Sequence, residues 1–206
     1  STSDKVWQNA GQWIIKYDNG SFSGQIIDPG YPEAREYVIK VLMEIINNYD
    51  VDGIQFDDYF YPENADNVDE NQYNNYKEST KKPLSKEAWR MKNVNTLINE
   101  VYTTIHKCKD NVVFGISPQG NLNNNKALGA DIKTWCEKDG YIDYIAPQIY
   151  FSLDNPQLTF EDCLSEWIKL EKHSKLSMYI GLAGYKASST YDEGTWQDSD
   201  DILKTE

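Results

Sequence analysis

The sequence predicts an α/β fold of the TIM-barrel type, a parallel sheet sheathed in helices, with about five of the eight strands falling in this chain. Three observations carry the prediction. Strand-like and helix-like segments alternate regularly. The strands are strongly apolar, as strands covered by helices must be. A polar or hydroxyl-bearing residue also recurs at the carboxyl end of each strand.

The elements follow in order. Gly24–Asp28 reads as the first strand, and Glu33–Tyr49 as a helix with Pro32 at its start. Ala34, Val38, Val41, Leu42, Ile45 and Ile46 form its apolar face. Gly53–Asp57 is the second strand. Lys86–Lys109 is a helix whose inner stripe is Val94, Leu97, Ile98, Val101 and Ile105. Val112–Ser117 is the third strand, and residues from about Lys126 to Lys138 form a helix. Ile142–Gln148 is the fourth strand, Phe160–His173 a helix, and Met178–Ala183 the fifth strand. Residues 1–206 read as one partial barrel domain, with no repeat, low-complexity tract or linker.

Side chains alternate along a strand, so each strand divides into two faces. Ile27, Ile54, Phe56, Phe114, Ile116, Ile145, Met178, Ile180 and Leu182 make the helix-facing set. The other set ends in Asp28, Asp57, Ser117, Gln148 and, just past its strand, Tyr185. Polar groups in register at the carboxyl end of barrel strands are where such folds build sites.

Composition narrows the function. A net charge of −13 and the lack of a basic stripe argue against a nucleic-acid or anionic-membrane partner. No apolar run reaches the length of a membrane span, and no signal segment is present. The chain begins Ser-Thr-Ser without an initiator methionine, as a piece trimmed from a longer protein would. Cys108, Cys136 and Cys163 share no metal-ligand spacing and fall in helical segments, which predicts buried free thiols; one disulfide with a thiol left over is the alternative. The only histidines, His106 and His173, sit on predicted helices away from every strand end, which disfavours a metal hydrolase or a histidine-based triad.

The segment Val51-Asp-Gly-Ile-Gln-Phe-Asp-Asp-Tyr-Phe-Tyr-Pro62 concentrates the chemistry. Adjacent carboxylates followed by rings at a strand end suit a site that holds a sugar and cleaves its glycosidic bond. Asp57 and Asp58 are the catalytic candidates. On a regular strand only Asp57 faces the barrel mouth, and Asp58 joins it if the strand breaks there. Asp58 is then either its partner or a like charge shifting its pKa; a turn-capping role is the alternative. Asp28 is a third carboxylate. Gln55 and Gln148 are amides that hold sugar hydroxyls or fix a carboxylate, or else make interior hydrogen bonds, and Gln119 is a further substrate-binding candidate. Tyr59, Tyr61, Tyr150 and Tyr185 offer stacking rings, or else anchor loops. Ser117 reads as a hydrogen-bond donor. Trp89 and Arg90 close over the cleft, or Trp89 opens the core of its helix. The loop from Asp58 to about Ser85 is long, polar and either cleft-forming or a surface insertion. Calcium at Asp66, Asp69 and Glu70 does not match an EF-hand spacing, so no metal or cofactor is expected.

Asp52-Gly-Ile-Gln-Phe-Asp-Asp-Tyr-Phe-Tyr-Pro62 closely resembles the signature of the bacterial glycosyl hydrolase-like 10 family. Colinear matches follow at Trp89-Arg90 with Asn93-Val94-Asn95, at Phe114-Gly-Ile-Ser-Pro118, at Tyr141–Tyr150 and at Ile180–Lys186. The resemblance implies a (β/α)8 barrel acting on a cell-envelope glycan, peptidoglycan strands in particular, and an exported protein. It also departs from the pattern: Asp28-Pro29-Gly30 stands where the family usually shows Asn-Pro-Gly. Strands one, two and eight of the barrel have no counterpart, so this piece alone is expected to be weak or inactive, with open edges that favour dimerisation or strand exchange. A non-catalytic glycan-binding barrel and a polysaccharide deacetylase are the alternatives; the scarcity of histidine weighs against the second.

Overall fold

The computed structural model describes residues 11–18, 20, 23–63 and 67–197. Strands β1 (Ile14–Asp18) and β2 (Ser23–Ile27) form an antiparallel pair, with Ile14 opposite Ile27. Helix α1 (Pro32–Asn48) follows, then β3 (Gly53–Phe56), α2 (Glu70–Ser79), α3 (Lys86–Cys108), β4 (Val113–Ile116), α4 (Leu122–Ala127) and α5 (Ile132–Glu137). The chain continues through β5 (Tyr144–Ile145), β6 (Gln148–Ile149), α6 (Phe160–Lys169), β7 (Ser177–Met178) and β8 (Gly181–Leu182). Strands β3-β4-β5-β7 make a parallel four-stranded sheet, and β6 pairs with β8 in parallel. This mixed α/β arrangement is compatible with part of a TIM-like barrel.

Register explains the core. Phe56, Ile116, Ile145 and Met178 stand side by side on neighbouring strands and face the helices. They pack with Leu42 and Ile46 of α1, with Val94, Leu97, Ile98, Val101 and Ile105 of α3, and with Trp135 of α5. Gln55, Gly115, Tyr144 and Ser177 share the opposite face. There the Tyr144 hydroxyl donates to Gln55 Oε1 at 3.1 Å, crossing Gly115, where a methyl group would overlap the Tyr144 ring. Gln55 is therefore exposed on the open face rather than lying in an interior.

Several expectations need correction. The first predicted strand does not join the parallel sheet; it pairs with β1, which the sequence reading did not include. The helix expected from about Lys126 to Lys138 is two short helices broken at Gly129, whose φ of +77° is left-handed, with Asp131 capping the second. α6 stops at Lys169, so His173 lies beyond its helix. Val41 and Ile45 are exposed, because Ala34, Leu42 and Ile46 occupy the centre of the α1 stripe and those two its flank. Leu182, assigned to the helix-facing set, is exposed. Cys136 and Cys163 are buried and free, whereas Cys108, in the last turn of α3, is free but exposed. The polar loop after β3 contains α2, so it is not a structureless insertion.

Candidate active site

β3 ends at Phe56, one residue before the carboxylates, and this early end decides where they point. Asp57 stays exposed and accepts a hydrogen bond from Gln148 Nε2 at 2.5 Å. The same Gln148 nitrogen donates to the Ser117 carbonyl at 2.8 Å. The amide of the residue that opens β6 thus ties together the ends of β3 and β4. Ser117 spends its own hydroxyl on the Ala146 carbonyl at 2.9 Å, which locks the neighbouring strand.

Asp58 turns the other way and is only 7% exposed. It lines a cleft of about 270 Å³ with Tyr17, Tyr59, Tyr61, Pro62, Glu63, Gln119 and Leu128. Burial raises its carboxyl above the ordinary range; a hydrogen bond from the Gln119 side chain pulls down, and the Asp57 charge pushes up again. Gln119 Nε2 also donates to Glu63 Oε1 at 3.4 Å, and its Oε1 accepts from Asn124 at 2.9 Å. Tyr59 is 78% exposed beside this pair, a ring presented to solvent.

Behind the cleft lies another carboxyl, Asp28, the third singled out from the sequence. Asp28 is fully buried, and burial raises its pKa. Its Oδ1 accepts from the Gly30 backbone at 2.8 Å and from the Tyr61 hydroxyl at 3.2 Å, while Oδ2 has no hydrogen-bond partner. Tyr61 OH in turn accepts from Asn93 Nδ2 at 3.2 Å. Burial beside Asp28 holds the Tyr61 phenol well above its ordinary pKa. Arg90 lies over the Tyr61 ring at 4.9 Å and grips the buried Asp69 through two bonds of 2.7 Å. Trp89 is buried against Tyr73 and Tyr76, at centroid distances of 5.4 and 5.9 Å.

Of the residues singled out from sequence, the structure gathers Asp57, Ser117 and Gln148 at one strand-end cluster. Asp58, Tyr59, Tyr61 and Gln119 line the adjoining cleft, and Tyr150 and Tyr185 meet edge to face at 6.2 Å beyond them. Asp28 and Arg90 support the cleft from behind, Trp89 packs inside a ring cluster, and Gln55 faces the open side of the sheet. Asp69 is committed to Arg90 and to Lys86 at 3.0 Å, and Asp66 lies outside the described residues. Among the described residues no group of histidine, cysteine and acidic side chains is arranged to hold a metal. Tyr17 and Glu63 were missed; the alternating run Ile14–Asp18 before Asn19-Gly20 is a hairpin signal that would have found Tyr17.

The parallel sheet thus carries paired acids, an amide anchor and exposed rings toward its carboxyl end. The chain belongs to the glycosyl hydrolase-like 10 family, whose model it matches over residues 2–198. It is similar to glycosyl hydrolase YngK of Bacillus subtilis (strain 168), 33% identical over 93% of this chain and 40% of that protein. It is also similar to glycosyl hydrolase DigH of Escherichia coli (strain K12), 34% identical over 78% of this chain and 40% of that protein. The chain therefore spans about 40% of the length of these curated relatives.

Proposed function

We propose that this protein is a glycosidase that cleaves a bacterial cell-envelope glycan, the glycan strands of peptidoglycan in particular. The observation that carries the reading is the unequal setting of two adjacent carboxyls. Asp58 is buried with a raised pKa, and Asp57 is exposed and fixed by the Gln148 amide. A carboxyl whose pKa is raised by burial holds its proton to higher pH, which suits it to protonate a leaving glycosidic oxygen. Asp57, anchored beside it, supplies the negative charge that an oxocarbenium-like transition state needs. The exposed ring of Tyr59 and the amide of Gln119 receive the sugar face and its hydroxyls.

The same reading places the protein outside the cytoplasm, where such glycans lie. No described helix is long and apolar enough to cross a membrane. The names of the two relatives support glycoside cleavage, and the peptidoglycan assignment rests on the family resemblance.

The test is direct. The intact protein and its Asp57→Asn and Asp58→Asn variants are incubated with purified peptidoglycan glycan strands, and the products are analysed by mass. Shorter saccharides from the parent, reduced at least a hundredfold in each variant, are expected. Strands left intact by the parent but still bound by it would mean a glycan-binding protein instead.

A further inference from the structure

Past the last strand, the segment Gly184–Trp196 presents aromatic side chains to solvent in an ordered way. Tyr185 is 64% exposed and Tyr191 53% exposed, yet their rings meet at 5.8 Å and 82°. Tyr185 in turn meets Tyr150 at 6.2 Å and 88°. The row leads back to the acid pair: after burial, the charge of Asp57 is the next cause that raises the Tyr150 phenol pKa.

The row stands on a scaffold. Lys186 Nζ donates to the Tyr150 carbonyl at 2.9 Å and to Asp192 Oδ2 at 3.0 Å, and lies over the Tyr191 and Trp196 rings at 5.8 and 5.7 Å. Trp196, fully buried, donates its indole N–H to the same Asp192 oxygen at 2.8 Å. Lys186 and Asp192 neutralise each other and are mostly covered, so the rings are presented without a net charge beside them. Ser188, Asp192 and Glu193 have φ of 58°, 51° and 62°, which puts three non-glycine residues of one short segment in the left-handed region. Such backbone is unfavourable and persists where surrounding contacts enforce it. Here the enforced outcome is two tyrosine rings at right angles, open to water.

We infer that Tyr185 and Tyr191 form a saccharide subsite for a hexopyranosyl unit of the glycan at some remove from the scissile bond, a reading that rests on the glycosidase proposal above. One ring stacks on the C–H face of the pyranose, and the other closes the corner with its edge. Tyr150 bridges the subsite to Asp57. Lys186 is a positioning residue that holds the corner open.

The probes are tetra-N-acetylchitotetraose and di-N-acetylchitobiose, titrated calorimetrically into the Asp57→Asn protein, where turnover does not interfere. Adding Tyr185→Ala or Tyr191→Ala weakens tetramer binding about tenfold and leaves dimer binding unchanged, whereas Tyr191→Phe retains tetramer binding within about twofold. Both rings are exposed, so truncation leaves the fold intact, which an unchanged melting temperature verifies. Tetramer binding that is absent, or unmoved by either alanine, overturns the subsite. So does an equal loss for the dimer, since the rings would then touch the units at Asp57. Ring-dependent tetramer binding by a protein that cleaves no glycan keeps the subsite and removes the glycosidase reading.

Discussion

Arg90 offers the clearest test of how the cleft is held. Asp69 is fully buried, and the Arg90 guanidinium meets both of its oxygens at 2.7 Å. Removing one partner of such a pair costs about 3–5 kcal/mol, because the other charge is left buried. Two corrections apply to Arg90→Met. Lys86 still reaches Asp69 at 3.0 Å and offsets part of the loss. Against that, the guanidinium over Tyr61 is lost, worth about 0.5–2 kcal/mol. The balance is a destabilisation of about 3 kcal/mol. For a chain of this length that lowers the melting temperature by about 6–12 °C, read by circular dichroism at neutral pH. The double variant Arg90→Met with Asp69→Leu should recover at least half of the loss, since no buried charge then remains unpaired. A single-variant shift under about 2 °C would refute the reasoning and return Arg90 to the role of a substrate contact.

The remaining predictions concern neighbouring groups. Asp28 has a raised folded-state pKa, so its contribution to stability is present in full below its unfolded value, near 3.8, and is lost as pH rises through the folded value. Asp28→Asn removes that loss, and the melting-temperature difference, variant minus parent, should grow in the variant's favour between pH 3.5 and pH 7; a difference independent of pH would contradict it. Gly115→Ala forces the Tyr144 ring away from Gln55, and overpacking of this kind costs about 1–3 kcal/mol, measurable by urea unfolding. Gln148→Leu frees Asp57 from its anchor and should lower kcat on glycan strands by at least tenfold, with a modest fall in melting temperature from the lost Ser117 bond. An unchanged kcat would mean that Gln148 serves only the strand ends.

Much of the fold could be read from alternation along single segments. Phe56, Ile116, Ile145 and Met178 face the helices as their spacing requires, and the inner stripe of α3 is buried throughout. The placing of Asp57 and Ser117 follows from the same periodicity, each one residue past its strand, whereas Gln148 opens β6 because the expected strand Ile142–Gln148 is split into β5 and β6. What alternation could not give was decided elsewhere. Asp58 is buried because β3 stops early and the chain turns there, a matter of loop path rather than strand parity. The break at Gly129 depends on a left-handed residue within an otherwise helical composition. Trp89 and Arg90 are drawn away from solvent by partners on α2 and at its cap, Tyr73, Tyr76 and Asp69, which local pattern does not connect to them. Tyr191 sits in a segment with no periodicity at all, so only coordinates bring it to Tyr185.

The three thiols divide sharply in reactivity. Burial pushes Cys136 and Cys163 up to about 11, so neither supplies thiolate to a reagent near neutrality. Cys108 alone is open to solvent, at the end of α3 that leads into β4, opposite the strand ends that carry the acids. A maleimide dye would therefore attach at one defined point of this chain, without mutagenesis. It would report tumbling and saccharide-induced mass change from the far side of the molecule, leaving the rim untouched.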